Sequence, residues 1–217
     1  MPRRREPLRV TVFASGRGSN MEAILQNIER GELDARIVLV ICNRSSAGAL
    51  EIARSRNIPG VHISPAHFED QALYTEKMLA LLSEHGTELI ALAGYLKKIP
   101  LELVRAYRHR ILNIHPALLP SFGGSGFYGS RVHQAVLDHG CKVSGATVHL
   151  VDEDYDTGAP LLQECVKVRD DDTAESLAAR ILKVEHRIYS QAIQLMAQGR
   201  VKVSGRRAII EPPPESP

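Results

Sequence analysis

Apolar and polar positions along this chain follow two rhythms. Residues 8–14, LRVTVFA, form a β-branched apolar run. Residues 20–30 then carry Met21, Ile24, Leu25 and Ile28 at the three- and four-residue spacing of a helix face. The alternation continues. Residues 35–43 read as a strand apolar on both faces, 46–57 as a helix and 61–63 as a short strand. Residues 68–85 read as a helix with Leu73, Met78, Leu81 and Leu82 apolar, and 88–94 and 110–115 as two further strands. Continuously apolar strands separated by helices predict βαβ units and a parallel sheet covered on both faces.

Past residue 140 the rhythm changes. Residues 143–153 and 160–168 are strand-like and joined by a polar turn, DYDTGA, too short for a helical crossover. They predict an antiparallel hairpin. A long amphipathic helix follows over residues 173–198, with Leu177, Ile181, Val184, Ile188 and Leu195 on one face. The predicted fold class is therefore α/β: a mostly parallel twisted sheet flanked by helices, with an antiparallel C-terminal extension. The predicted organisation is a flexible N-terminus over residues 1–7, a single domain over 8–204 and a tail over 205–217, of which EPPPESP is expected to be disordered. The domain divides into an N-terminal half, 8–108, and a C-terminal half, 109–204.

Composition narrows the class of function. The chain has 217 residues, 44% of them apolar, enough for an ordinary buried core. Its 27 basic and 25 acidic residues leave a net charge of +2, which gives no reason to expect nucleic-acid binding. Cys42, Cys141 and Cys165 are far apart and form no C-x-x-C pair. Neither a zinc site nor a disulfide framework is expected, and a reducing cytoplasm fits best. No apolar run approaches the length of a membrane span, and the basic start MPRRREP lacks the apolar stretch of a signal peptide.

Three places carry candidate chemistry. The first is FASGRGSN, residues 13–20, where a strand gives way to a helix. Gly16 and Gly18 free the backbone, and the amides and dipole of a helix start favour an anion. The loop lacks the third glycine of G-x-G-x-x-G and the Gly-Lys-Ser/Thr ending of a P-loop. The bland alternative is that Ser19 or Asn20 is only a helix cap. The second is LNIHPALLPSF, in which Asn113 and His115 lie two apart on a strand and so on one face. An Asn amide can donate to an oxyanion, and a His titrates near neutrality. A polar strand end that satisfies loop carbonyls is the alternative. The third is VDEDYDTGAP, residues 151–160, where one carboxylate could orient His115 and the rest form a solvated acidic turn.

SGRGSN, LAGYLKK, ILNIHPALLPSF and DEDYDTG occur in this order. Together they resemble the folate-dependent glycinamide ribonucleotide formyltransferase family, from about Leu8 to Ser204, nearly the whole chain. The N-I-H-P-x-L-L-P signature is shared by the wider group of 10-formyltetrahydrofolate-dependent formyltransferases, whereas the early glycine loop is more particular. The resemblance implies a Rossmann-like formyltransferase fold. It also implies formyl transfer from 10-formyltetrahydrofolate to the amine of glycinamide ribonucleotide, in purine biosynthesis and without a metal. By the same resemblance, Asn113, His115 and Asp156 are catalytic. Gly18, Ser19, Asn20 and Glu185 hold the acceptor, with its phosphate at the glycine loop. The folate falls to Leu96, Lys97, Lys98 and Ile99, to Asn113, and to Asp152, Glu153, Asp154, Tyr155 and Asp156. The implied partners are the two small substrates, with no nucleic acid and no membrane, in a monomer or homodimer of the cytoplasm.

Some positions depart from the family. GGSGFYGSRVH, residues 123–133, is longer and richer in glycine than shorter family forms and suits a lid over the acceptor. Gln71 stands where some members have an Arg near the folate tail. His133 adjoins the Gly-rich segment, and His149 faces the hairpin that carries the acidic turn. Three rival readings are a methionyl-tRNA formyltransferase, a formyltetrahydrofolate hydrolase and a non-catalytic Rossmann-like nucleotide-binding module. The first is expected to carry an added C-terminal RNA-binding domain and the second a preceding regulatory domain. The third leaves Asn113, His115 and Asp156 unexplained as a set.

Overall fold

The computed structural model describes residues 6–213. Residues 1–5 of the expected flexible start and 214–217 of the expected tail lie outside the described residues. The chain forms two compact units whose boundary falls within one strand, between Asn113 and Ile114.

The unit Leu8–Asn113 alternates strand and helix. Its elements are β1 (Leu8–Ala14), α1 (Ser19–Glu29), β2 (Ala35–Cys42), α2 (Gly48–Ser55), β3 (Gly60–His62), α3 (Gln71–Glu84), β4 (Leu89–Leu92), α4 (Leu101–Ala106) and the start of β5 (Ile111–His115). β1 pairs in parallel with β2 and β4, β2 with β3, and β4 with β5. Val10, Val12, Phe13, Leu39, Ile41 and Ile90 have no exposed surface. This explains the unbroken apolar runs: with helices on both faces, no strand position can be polar without a partner. Each such side chain contributes about 1.5–3 kcal/mol through burial.

The unit from Ile114 onward contains α5 (Ser130–Asp138), β6 (Val143–Leu150), β7 (Pro160–Lys167), α6 (Ala174–Ala197), β8 (Val201–Ser204) and β9 (Arg207–Ile210). β6 and β7 form the predicted antiparallel hairpin, in register from Val143↔Lys167 to His149↔Pro160 with an irregularity between Val148 and His149. Among the described residues seven strands hydrogen-bond in the order β3-β2-β1-β4-β5-β6-β7, and β8 and β9 make a separate two-stranded sheet. The predicted α/β class, mostly parallel with an antiparallel extension, is the observed one.

The structure adds the short helix α4, where no element is expected, and differs from the sequence expectation in three further places. The segment assigned to a tail from residue 205 instead carries β9, paired with β8 across a turn at Gly205, whose φ is +58°. The alternating VKVS and RAII on either side of Gly-Arg account for that hairpin. Residues 130–133, read as the end of a Gly-rich lid, are the first turn of α5. β6 stops at Leu150 rather than 153, because residues 151–157 are given over to the turn.

Candidate active site

The glycine loop is built at the carboxyl ends of parallel strands, where open α/β sheets bind ligands. Ser15, buried just after β1, ties three of those ends together. Its amide donates to the Gly94 carbonyl at 3.1 Å. Its hydroxyl donates to Asn43 Oδ1 at 2.6 Å and accepts the Leu96 amide at 2.9 Å. Gly18 then takes the cap position of α1 with φ +86°, a left-handed conformation that favours glycine. A β-carbon there would lie 3.0 Å from Ala49 Cα, Ala49 Cβ and Ile52 Cδ1, so α2 closes off that side too. Gly18 carries no side chain to cap the helix, and Ser19 and Asn20 are its first two helical residues. Neither serves as the cap that the bland reading required. No side chain at the cap position bonds to the helix start, and the positive end of the helix dipole lies at the loop, the arrangement that suits an anion.

In the same unit the segment after β4 presents Leu96, Lys97 and Lys98 to solvent and buries Ile99. Tyr95 anchors it: the hydroxyls of Tyr95 and Tyr74 are 3.1 Å apart, and the Tyr95 ring meets Phe13 edge-on at 5.3 Å. Burial raises the Tyr95 phenol far above its usual range, so it stays a neutral hydrogen-bonding group. Asn113 lies half-buried on β5, opposite Leu92 of β4.

His115 ends β5 and is buried in the second unit. The chain that leaves it is held by the hairpin. Thr147 of β6 donates to the Ala117 carbonyl at 2.6 Å and accepts the Leu119 amide at 3.1 Å. Gln163 of β7 donates to the Leu119 carbonyl at 2.9 Å and to Thr147 at 3.0 Å. These bonds satisfy loop polar groups that burial would otherwise leave costly. Gly145 makes room: a β-carbon there would stand 2.0 Å from the Glu164 carbonyl oxygen and 2.7 Å from Leu118.

Asp156 faces His115. Its Oδ2 is 3.6 Å from His115 Nδ1 and accepts the Gly124 amide at 2.8 Å. Its Oδ1 is 3.4 Å from Nε2 of His149, a buried residue of β6. His115 Nε2–H donates to the Phe122 carbonyl at 2.8 Å. Asp156 has φ +57° and Phe122 φ +54°, both in the left-handed region where a side chain costs about 1–2 kcal/mol. Burial works to raise the Asp156 carboxyl. The His149 hydrogen bond, the nearby His115 and the Gly124 amide outweigh it and hold the group below its ordinary value. For His115 burial wins: the imidazole is pushed below 6.5 despite the carboxylate beside it. The result is an ionised carboxylate set against a neutral imidazole, a pair able to take and return a proton.

The other acids predicted for this turn, Asp152, Glu153 and Asp154, are exposed, as is Tyr155. Only Asp156 turns inward. Glu185 is buried on α6. Sequence reasoning missed Ser15, Thr147 and Gln163, which hold the two segments in place. It also placed His133 at the edge of a lid, whereas α5 buries it. Among the described residues no group of three or more His, Cys, Asp or Glu is arranged to hold a metal ion.

The fold and this site define a formyl transferase: a family profile of that description matches residues 8–193. The chain is 44% identical over 202 residues to a chloroplastic phosphoribosylglycinamide formyltransferase of Arabidopsis thaliana, covering 93% of this chain and 68% of that protein. It is 39% identical to phosphoribosylglycinamide formyltransferase of Bacillus subtilis, over 84% of this chain and 91% of that one. The crystal structure of glycinamide ribonucleotide transformylase 1 from Symbiobacterium toebii superposes with a TM-score of 0.89 at 39% identity, covering 95% of each chain. The chain belongs to the phosphoribosylglycinamide formyltransferase family.

Proposed function

We propose that this protein transfers the formyl group of 10-formyltetrahydrofolate to the amine of glycinamide ribonucleotide, giving formylglycinamide ribonucleotide and tetrahydrofolate in de novo purine biosynthesis. The observation that carries the mechanism is the carboxylate of Asp156 set against the imidazole of His115. The acceptor amine attacks the formyl carbon, a new C–N bond forms, and the carbonyl oxygen becomes an oxyanion. Asn113 donates its amide to that oxyanion and His115 assists as donor. Collapse breaks the bond from carbon to N10. The amine loses a proton and N10 gains one, with Asp156 taking and relaying it alongside His115. Since His115 Nε2–H is engaged with the Phe122 carbonyl, donation to the substrate exchanges that bond for one to the oxyanion.

The acceptor phosphate is assigned to Gly18, Ser19 and Asn20, supported by the left-handed cap at Gly18 and the helix start that follows it. Glu185, buried on α6, is assigned to the acceptor. The folate is assigned to Leu96, Lys97, Lys98 and Ile99 and to residues 152–156. The exposed Leu96 side chain, at 42%, supplies an apolar face, and the turn supplies backbone polar groups. Residues 8–204 act as one catalytic domain, in a monomer or homodimer, with neither nucleic acid nor membrane as partner. Among the described residues no helix is long and apolar enough to cross a membrane. The proposed compartment is the cytoplasm, in keeping with three free cysteines.

The test mixes purified protein with 10-formyltetrahydrofolate and glycinamide ribonucleotide and follows the folate product by absorbance. Release that requires the acceptor supports the reading. Release without acceptor identifies a hydrolase, and saturable binding without turnover identifies a binding module.

A further inference from the structure

Asp156 is gripped at both oxygens, and only one grip belongs to the reacting pair. A carboxylate rotates easily about its last torsion, so a single anchored oxygen leaves its plane free. The Gly124 amide holds Oδ2 at 2.8 Å. On the other side stands His149, 2% exposed, with Nε2 at 3.4 Å from Oδ1. The His149 ring is itself fixed. Its Nδ1 lies 2.9 Å from the Leu150 carbonyl oxygen, which can only accept, so Nδ1 carries hydrogen and Nε2 is aimed at the carboxylate.

We propose that His149 is a positioning residue for formyl transfer: from β6 it holds Asp156 by Oδ1 and so keeps Oδ2 turned toward His115. This rests on the assignment of Asp156 and His115 given above. The contact sets the Nε2 edge of the fixed ring against Oδ1, so the ring determines the plane of the carboxylate. The alternative is a buried imidazole that serves the fold through its backbone bond alone.

Two substitutions separate these roles. In His149→Asn the amide nitrogen stands near the place of Nδ1, keeping the Leu150 bond and losing Asp156. In His149→Gln the amide nitrogen reaches the place of Nε2, keeping a donor to Asp156. The proposal expects His149→Asn to lower kcat by about tenfold to a hundredfold, as slight misplacement of a reacting group does, with both KM values little changed. His149→Gln recovers most of that loss. Asp156→Asn and His149→Asn combined lose no more than Asp156→Asn alone.

A second readout needs no substrate. The Gly124 amide proton reports its bond to Oδ2, and in NMR spectra His149→Asn moves it in the same direction as Asp156→Asn, while His149→Gln leaves it near its wild-type position. A Gly124 amide unmoved in folded His149→Asn overturns the proposal. So does a folded His149→Asn enzyme with wild-type kcat. If the wild-type protein transfers no formyl group, the proposed function fails by itself, and the Gly124 signal alone decides whether His149 positions Asp156.

Discussion

Gly158 passes so close beneath Leu150 that a β-carbon would lie 1.8 Å from the Leu150 carbonyl oxygen and 2.8 Å from its carbon. The turn that carries Asp156 can fold back on the end of β6 only because residue 158 has no side chain. Gly158→Ala must push the turn outward and take Asp156 with it. The expected cost is about 1–3 kcal/mol, as for overpacking elsewhere, together with loss of most formyl transfer. Gly16→Ala, where nothing lies within 4 Å of the added carbon, is the matched control and keeps its denaturation midpoint. Urea unfolding of both variants measures the difference.

Thr147 serves the loop beyond His115 as both donor and acceptor. Thr147→Val keeps its shape and leaves the Ala117 carbonyl and the Leu119 amide without their partner. A buried polar group left unsatisfied costs about 1–3 kcal/mol. The variant is expected to unfold at lower urea and to turn over more slowly, since the same loop sets His115. Equilibrium unfolding and kcat, measured on one preparation, check both.

Gly18 fixes the start of α1 in a conformation that other residues adopt only under strain. In Gly18→Ala the added carbon would also press on Ala49 and Ile52 at 3.0 Å. The loop then shifts at the point assigned to the acceptor phosphate. Steady-state kinetics should show the KM for glycinamide ribonucleotide rising by about tenfold or more, on the scale of a lost charge-assisted bond, and the KM for the folate changing little.

Stability should fall on acidification in two steps. Burial lowers His115, His133 and His186 below 6.5 in the folded protein, so the unfolded chain binds protons first as the pH drops through that value. Folding then loses stability from about pH 6.5 downward until the folded histidines also charge. Asp156 is held below 3.8, so its contribution is present above that pH and lost as the pH falls through its lower folded value. Urea midpoints measured between pH 8 and pH 5 should decline, and His133→Asn should flatten the decline.

Much of this architecture was legible in the pattern of apolar residues. The run at 8–14 coincides with β1, and the long amphipathic face at 173–198 with α6, which Thr173 and Ser176 close in a capping box. Strands buried on both faces and long helices announce themselves because burial dictates nearly every position in them. α4 spans only Leu101–Ala106, less than two turns, too few residues for a helical period to show. α5 was obscured by the glycines before it, and β8–β9 by proximity to a proline-rich end. The site was legible in part. LNIHP marked Asn113 and His115 through strand spacing, and Asp156 through resemblance. Among Asp152, Glu153, Asp154 and Asp156, however, nothing local distinguishes the inward carboxylate. That distinction arises from the left-handed backbone at Asp156, the Gly124 amide and the close approach of Gly158, none of which a linear pattern displays.

The central claim is that Asp156 moves the proton that lets the formyl group change nitrogen. The most direct measurement is formyl transfer by Asp156→Asn beside the wild-type protein, with both substrates varied. In Asp156→Asn kcat is expected to fall by about 10²- to 10⁴-fold, the range for a lost general acid–base, with KM values for both substrates nearly unchanged. A folded Asp156→Asn enzyme with kcat within about threefold of wild type would contradict it, because the carboxylate would then be a feature of the turn and not of the reaction.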